Sequence, residues 1–250
     1  MIDCFPQDVD LVIEELVFRS IGQSIGMKAV KPVIAKTSKT LKRLTLGREW
    51  DVYVDCVANG AVQLTGDEHH MLNGFSLDVK LELEHLGLLG LEIPSGSSSL
   101  PGTAVHLPTL KSLTLESCEE YGHLLKLLST ANHMSDETQH VHLLEFILRA
   151  EKSPPSTLQE LSTFLGSFKG LRKLSVLIDN TPSMPNVDCF LATHADSLRC
   201  LVWAGRQGPR DHSRSPPYDL YLGHPGDDKS ELGKILSKCN LESLVSTTIG

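Results

Sequence analysis

The motif L-x-x-L-x-L recurs along the chain, most clearly in LPTLKSLTLESC at residues 107–118. Leu110, Leu113 and Leu115 supply its apolar positions, and Cys118 follows three residues later as a small residue. Side chains of a strand alternate between faces, so the leucines point into a core while Ser112, Thr114 and Glu116 point away from it. The motif returns as Leu41, Leu44 and Leu46, as Leu86, Leu89 and Leu91, and as Leu143, Phe146 and Leu148. Further copies are Leu171, Leu174 and Val176, then Leu198, Leu201 and Trp203, and finally Leu241 with Leu244.

Between these ribbons the apolar period changes from two to that of a helix. Leu124, Leu125, Leu127 and Leu128 form such a face within residues 121–131, and Leu158, Leu161, Phe164 and Leu165 form another after Pro154-Pro155. Thr157 and Glu160 fit a capping box at the start of the second, in which Glu returns a hydrogen bond to the cap. Residues 186–194 and 230–238 read as two shorter helices. At the N terminus, Val9, Val12, Ile13, Leu16 and Val17 share one face of a predicted helix, followed by Ile21, Ile25 and a turn-rich Gly22/Gly26 region. That predicts a helical cap over residues 1–35, as an open repeat array requires.

The ribbons start at residues 41, 86, 110, 143, 171, 198 and 241, so they are 45, 24, 33, 28, 27 and 43 residues apart. A helix-bearing leucine-rich repeat takes roughly 20–29 residues per unit. One of the two longest gaps contains residues 47–76, where Asn59-Gly60 marks a turn. The other contains residues 205–228, rich in Gly, Pro, Arg and Asp, which predict an inserted loop. Residues 94–102, PSGSSSLPG, predict a further exposed loop. The expected class is therefore α/β: a leucine-rich-repeat-like curved solenoid over residues 36–250, with a parallel concave sheet and helices on the convex side. The rival is an ordinary α/β fold with a parallel sheet, which shares the alternation but carries longer crossovers and a ligand-binding turn.

The stretches LPTLKSLTLESC, HLLEFILRAEKSPPSTLQELSTFLGSFKGLRKLSVLID and HADSLRCLVWAGR resemble the irregular leucine-rich-repeat regions of fungal F-box-type proteins. The resemblance covers roughly residues 100–206 and specifies a fold class rather than a chemistry. It implies that the repeats select a substrate while an N-terminal F-box recruits a ubiquitin ligase scaffold. Phe5-Pro6-Gln7-Asp8-Val9 resembles an F-box start, although Asp10 and Glu14 stand where that motif has apolar residues.

Charge narrows the partner class. The 31 acidic against 23 basic residues give a net charge of −8, which argues against broad nucleic-acid binding but leaves room for a local basic patch. The 250 residues, 40% hydrophobic and 22% charged, are ordinary globular values. Six cysteines form no C-x-x-C pair, so no zinc ribbon is expected. With no basic leader, no apolar run of membrane-spanning length and no N-x-S/T acceptor, the expected setting is reduced and intracellular, cytoplasmic or nuclear.

Three motifs invite chemistry. Gly22-Gln23-Ser24-Ile25-Gly26 spells G-x-S-x-G; a nucleophile elbow also needs a strand before it, a helix after it and an oxyanion donor from an earlier loop. A serine hydrolase centred on Ser24 is thus the alternative function, and a structural fragment of a larger repeat protein a further one. His69-His70 and His140-Val141-His142 suggest metal ligands, but zinc needs three or four converging groups, so solvated histidines are expected. No phosphate-cradling glycine loop is present, and no cofactor is expected. In the Arg206, Arg210 and Arg214 loop, phosphate on Ser215 would add negative charge beside arginines and order a contact; a solvated insertion is the plainer reading.

The function-bearing surface expected is the outward row of the sheet, where repeat stacking brings equivalent positions about 4.8 Å apart. Its middle column is predicted as Thr45, Gly90, Thr114, Ile147, Ser175 and Val202. Glu92, Glu116, Arg149, Leu177 and Ala204 run along one side, and Ser112, Glu145, Lys173 and Cys200 along the other. Ile147, Leu177 and Val202 would form an apolar patch rimmed by Glu116, Glu145, Arg149 and Lys173, the composition of a protein-recognition surface. The expectation is a non-enzymatic protein-binding module whose partner lies on the concave face.

Overall fold

The computed structural model describes residues 12–18, 24–47, 80–93, 105–134, 140–151, 153–179, 188–206, 238–239 and 241–245. Eight strands form one sheet in strict sequence order, every neighbouring pair parallel. They are β1 (Glu15–Phe18), β2 (Arg43–Gly47), β3 (His85–Leu89), β4 (Ser112–Glu116), β5 (Glu145–Ala150), β6 (Lys173–Asp179), β7 (Cys200–Arg206) and β8 (Ser243–Val245). Four α-helices are seen among the described residues: α1 (Ser24–Thr37), α2 (Tyr121–Met134), α3 (Pro155–Gly166) and α4 (Asp188–His194).

The leucine motif sets the register. Leu16, Leu44, Leu86, Leu113, Phe146, Leu174, Leu201 and Leu244 are paired in turn across all eight strands. From Leu44 to Leu201 this rung is buried, and it joins Ile34, Leu124, Leu161, Leu165 and Leu191 from the helices in a single core. Aromatic contacts show which face the helices cover. Phe146 of β5 meets Phe164 of α3 edge-on at 5.4 Å, and Trp203 of β7 meets Phe190 of α4 at 4.9 Å. Residues of all four described helices join this one core, so these helices share one side of the sheet. Parallel sheets are usually covered on both faces; here the strand positions on the opposite face are mainly polar or short, and stay half-buried or exposed in β4 to β6 except Ser112 and Asp179.

The turns leading into strands repeat as well. Thr40 Oγ donates to Ile13 O, and Ser197 Oγ to Leu171 O, each at 2.9 Å. Each hydroxyl precedes a core leucine, Leu41 or Leu198, whose N–H donates at 2.9 Å to the carbonyl four residues back, on Thr37 or His194. The same local bonds thus secure two strand entrances that are far apart in sequence. At the strand exits, Gly90 (φ 62°) and Ser117 (φ 51°) occupy equivalent left-handed positions, and each N–H donates at 2.7 Å to the next strand, to Glu116 O and Arg149 O. Leu91 and Cys118 follow them into the core, where Cys118 Sγ–H donates to Leu88 O at 3.1 Å.

Three expectations are corrected. The run LELEHLGLLGLEI offers two frames, and the strand uses Leu83, Leu86 and Leu88 instead of Leu86, Leu89 and Leu91. Gly90 at φ 62° terminates the strand, so the middle outward column contains Gly87, and Leu89 replaces Glu92 in the column beside it. At the N terminus, Glu15–Phe18 is a strand paired with β2 where a helix is predicted; the helix starts only at Ser24, and the boundary at residue 35 falls inside it. Helix α3 begins at Pro155 with Pro154 as its cap and no side-chain capping bond, so Thr157 and Glu160 form no capping box. Proline suits that first position because its missing N–H would have no helical partner. Thr157 instead packs against Gly122 of α2, where a Cβ would lie 3.0 Å from its Oγ.

The remaining predicted helices and strands coincide with observed elements, except the 230–238 helix, of which Lys238 alone is described. Residues 47–76 other than Gly47, the 94–102 loop and the part of the 205–228 insertion beyond Arg206 lie outside the described residues.

Candidate functional site

On the face opposite the helices, register gathers the predicted residues into three adjacent columns. Thr114, Ile147, Ser175 and Val202 are paired in succession across β4 to β7 and form the middle one. Glu116, Arg149, Leu177 and Ala204 form the second, and Ser112, Glu145, Lys173 and Cys200 the third. All nine residues expected to bind a partner (Thr114, Glu116, Glu145, Ile147, Arg149, Lys173, Ser175, Leu177 and Val202) are half-buried or exposed. The face is closed at one corner: Ala204 and Asp179 are buried at 3% and 6% exposure. Ser112 is also covered, because its Oγ donates to Glu145 Oε2 at 3.1 Å.

Ion pairs tie neighbouring strands along both outer columns. Arg149 Nη1 lies 3.0 Å from Glu116 Oε1, joining β5 to β4, while Lys173 of β6 engages Glu145 of β5. Burial pushes the Glu145 carboxyl up, but hydrogen bonds from Lys173 and Ser112 outweigh it and hold its pKa below the usual value. Each Glu145 oxygen therefore has a donor, one from the strand on either side. These pairs are partly exposed and contribute little stability. Their consequence is geometric, because each ties a long side chain of one strand to that of the next, beside the middle column.

A further row was missed by the prediction. Ile13-Glu14-Glu15-Leu16, Leu41-Lys42-Arg43-Leu44, Leu83-Glu84-His85-Leu86 and Leu110-Lys111-Ser112-Leu113 share one frame. Their second residues alternate in charge, and Lys42–Glu14 at 2.8 Å and Lys111–Glu84 at 2.9 Å bridge successive turns. The hydrogen bond from Lys42 holds the Glu14 carboxyl below its ordinary pKa, and that from Lys111 does the same for Glu84. A groove of about 460 Å³ beside these pairs is lined by Val12, Lys39, Glu82 and Pro108 among others. The signal was present in sequence as alternating acid and base at the first variable position of each motif.

The chemistry candidates separate from this face. Ser24 opens α1, with β1 preceding it, so the chain has a strand and then a helix around the G-x-S-x-G string. However, Ser24 stands in the helix and not in a sharp turn, and among the described residues no strand lies outside β1 to supply an oxyanion loop. His140 and His142 precede β5 instead of lying in it, with Val141 buried between them. His69-His70, Arg210, Arg214 and Ser215 lie outside the described residues, and no cluster of three potential metal ligands occurs among those described.

His194 departs from the expectation of solvated histidines. At 1% exposure, its Nε2 donates to Leu165 O at 2.8 Å and its Nδ1 accepts from Leu171 N–H at 3.4 Å. Burial lowers its pKa. Burial likewise pushes the Cys118 thiol up to about 11, leaving it unreactive. Both side chains hydrogen-bond to backbone groups.

Comparison with family models, curated protein sequences and solved structures returns no match. Among the described residues, no helix is long and apolar enough to cross a membrane.

Proposed function

We propose that the protein is a non-enzymatic, leucine-rich-repeat-like solenoid that binds a protein partner across its uncovered, concave sheet face. The architecture is supported by strands paired in sequence order, by the repeated hydroxyl-capped turns at Thr40 and Ser197, and by the matched strand exits at Gly90 and Ser117. The observation that carries the function is the Thr114–Ile147–Ser175–Val202 column, accessible and flanked by cross-strand ion pairs. An apolar centre with a charged rim can exclude water at its middle while the rim fixes orientation. Binding needs no bond-making residue, only positioning.

The test compares affinity capture by the full chain with capture by Ile147→Asp. Ile147 is half-buried on the uncovered face, so the substitution places a charge at the contact centre without opening the core. Loss of a reproducible captured protein, with circular dichroism unchanged, is the expected outcome; undiminished capture contradicts the reading.

The resemblance to fungal F-box-type proteins extends this reading to substrate selection for a ubiquitin ligase. Its test is capture scored for a ligase scaffold with and without residues 1–11. Removing residues 1–35 would take away β1 and most of α1, and so damage the sheet itself.

A further inference from the structure

We infer that the outer edge of β1 is a self-association surface, on which two copies of this chain pair β1 with β1, antiparallel, about a twofold axis at Val17. This surface is separate from the concave face and does not depend on a partner there. The core is unfinished at the β1 edge. Leu44 and Leu46 of β2, like their equivalents in every strand up to Leu201 and Trp203 of β7, are buried, whereas Leu16 and Phe18, which pair with them from β1, are only partly so. Val12 and Val17, at 76% and 46% exposure, are the large apolar side chains left exposed among the described residues. Val17 lies in β1, and Val12 three residues ahead of it.

The backbone is unfinished there too. Lys42 N–H and Arg43 N–H both donate to Glu14 O at 2.9 Å, and in the parallel register of β1 with β2 the backbone groups of Leu16 and Phe18 turn to that same side. The N–H and C=O groups of Glu15 and Val17 therefore point away from β2, and β1 is the end strand of the sheet. Such an edge is a template for another strand, and ELVF carries neither proline nor lysine to blunt it.

Charge selects a second copy and its register. In an antiparallel pair, residues whose backbone faces the partner oppose one another. That leaves Glu15 against Glu15, Glu15 against Val17, or Val17 against Val17. The first sets two carboxylates face to face, and the second sets a carboxylate against valine. The third opposes Val17 to Val17, Leu16 to Phe18, and Glu15 to Arg19, the residue that follows Phe18 in the sequence, so opposite charges meet twice about the axis. Glu15 is free to take part, because Arg43 Nη1 stands 3.8 Å from its Oε2 and the Glu15 side chain remains 56% exposed. Stacking β8 of one copy on β1 of the next would continue the leucine rung, but it brings Glu242 beside Glu14 and Ser243 beside Glu15, with no base between them. The twofold pairing closes as a dimer, where head-to-tail stacking would run on as a filament. Opposed residues of one sheet share a face, so the two concave surfaces look the same way.

Sedimentation velocity of the full chain at rising concentration tests this, with circular dichroism to check that each variant is folded. A two-chain species is expected. Glu15→Arg or Arg19→Glu alone should weaken self-association at least tenfold by opposing like charges twice, and the two together should restore it to within about threefold, the signature of a direct pair. Cysteines read the axis. Opposed residues that exchange both backbone bonds lie about 5.5 Å apart at Cα, within disulfide reach, so Val17→Cys treated with copper phenanthroline in air should give a covalent dimer above the wild-type level. Glu15→Cys should not, because this register holds the two copies of residue 15 about 13 Å apart along the strands. A single-chain species at about 100 μM, an affinity too weak for specific pairing, overturns the inference. So does a dimer indifferent to both charge reversals, or one that cross-links at residue 15 and not at 17. None of these results bears on the concave face.

Discussion

Lowering the pH from 7.5 to 5.5 should weaken the fold through one side chain, His194. Leu171 N–H points at Nδ1, so that nitrogen must be unprotonated, and Nε2 carries the proton given to Leu165 O. Adding a proton to Nδ1 would set two donors against each other in a buried place, which adds to the desolvation that lowers the folded pKa. The unfolded chain, with an ordinary histidine near 6.5, binds that proton first. The stabilisation is thus complete above about pH 6.5 and is lost as pH falls below it. With one proton at stake, the loss between pH 7.5 and 5.5 is at most about 1.4 kcal/mol. Urea unfolding followed by circular dichroism at the two pH values, for the wild type and for His194→Gln, measures it. The glutamine variant is expected to lose about 1–2 kcal/mol at pH 7.5, the cost of a buried hydrogen bond, and to show a flatter pH dependence. Parallel pH curves for the two proteins would refute the reasoning.

Phe146→Ala removes a fully buried ring from the middle of the core rung and its contact with Phe164; a loss of about 3–5 kcal/mol is expected in urea unfolding. Cys118, buried and hydrogen-bonded to Leu88 O, should resist alkylation in the native protein at pH 8 while half-buried Cys200 reacts, as read by peptide mass. Lys173→Ala takes away one of the bonds that lower the Glu145 pKa. The stability that Glu145 contributes is present above its unfolded pKa and lost as pH falls through the folded value, so the acid limb of the variant's unfolding profile should be shallower below about pH 4.5.

The rung of leucines was legible because a period of two next to a helical period admits few arrangements, and the predicted columns at β4 to β7 are the paired ones observed. Two regions misled for physical reasons. Ile13, Leu16 and Phe18 carry the strand spacing, but Val9, Val12, Ile13 and Leu16 repeat at three and four positions, as a helix face also does. In residues 83–91 leucine is so frequent that two frames fit equally. The choice lies in Gly90, whose left-handed backbone ends the strand, and composition alone does not show where a glycine turns. The closing of the face at Ala204 and Asp179 depends on three-dimensional packing and left no mark in the motif.

The central claim is that the uncovered face, and not the helical one, holds the partner. Single cysteines at Thr114 and Ser175 on that face, and at Lys126 and Gln159 on exposed positions of α2 and α3, can be alkylated with and without the captured partner and quantified by mass spectrometry. The account predicts at least tenfold slower labelling at 114 and 175 in the complex, with 126 and 159 unchanged. Protection at 126 and 159, with 114 and 175 still labelled at the free rate, would contradict it.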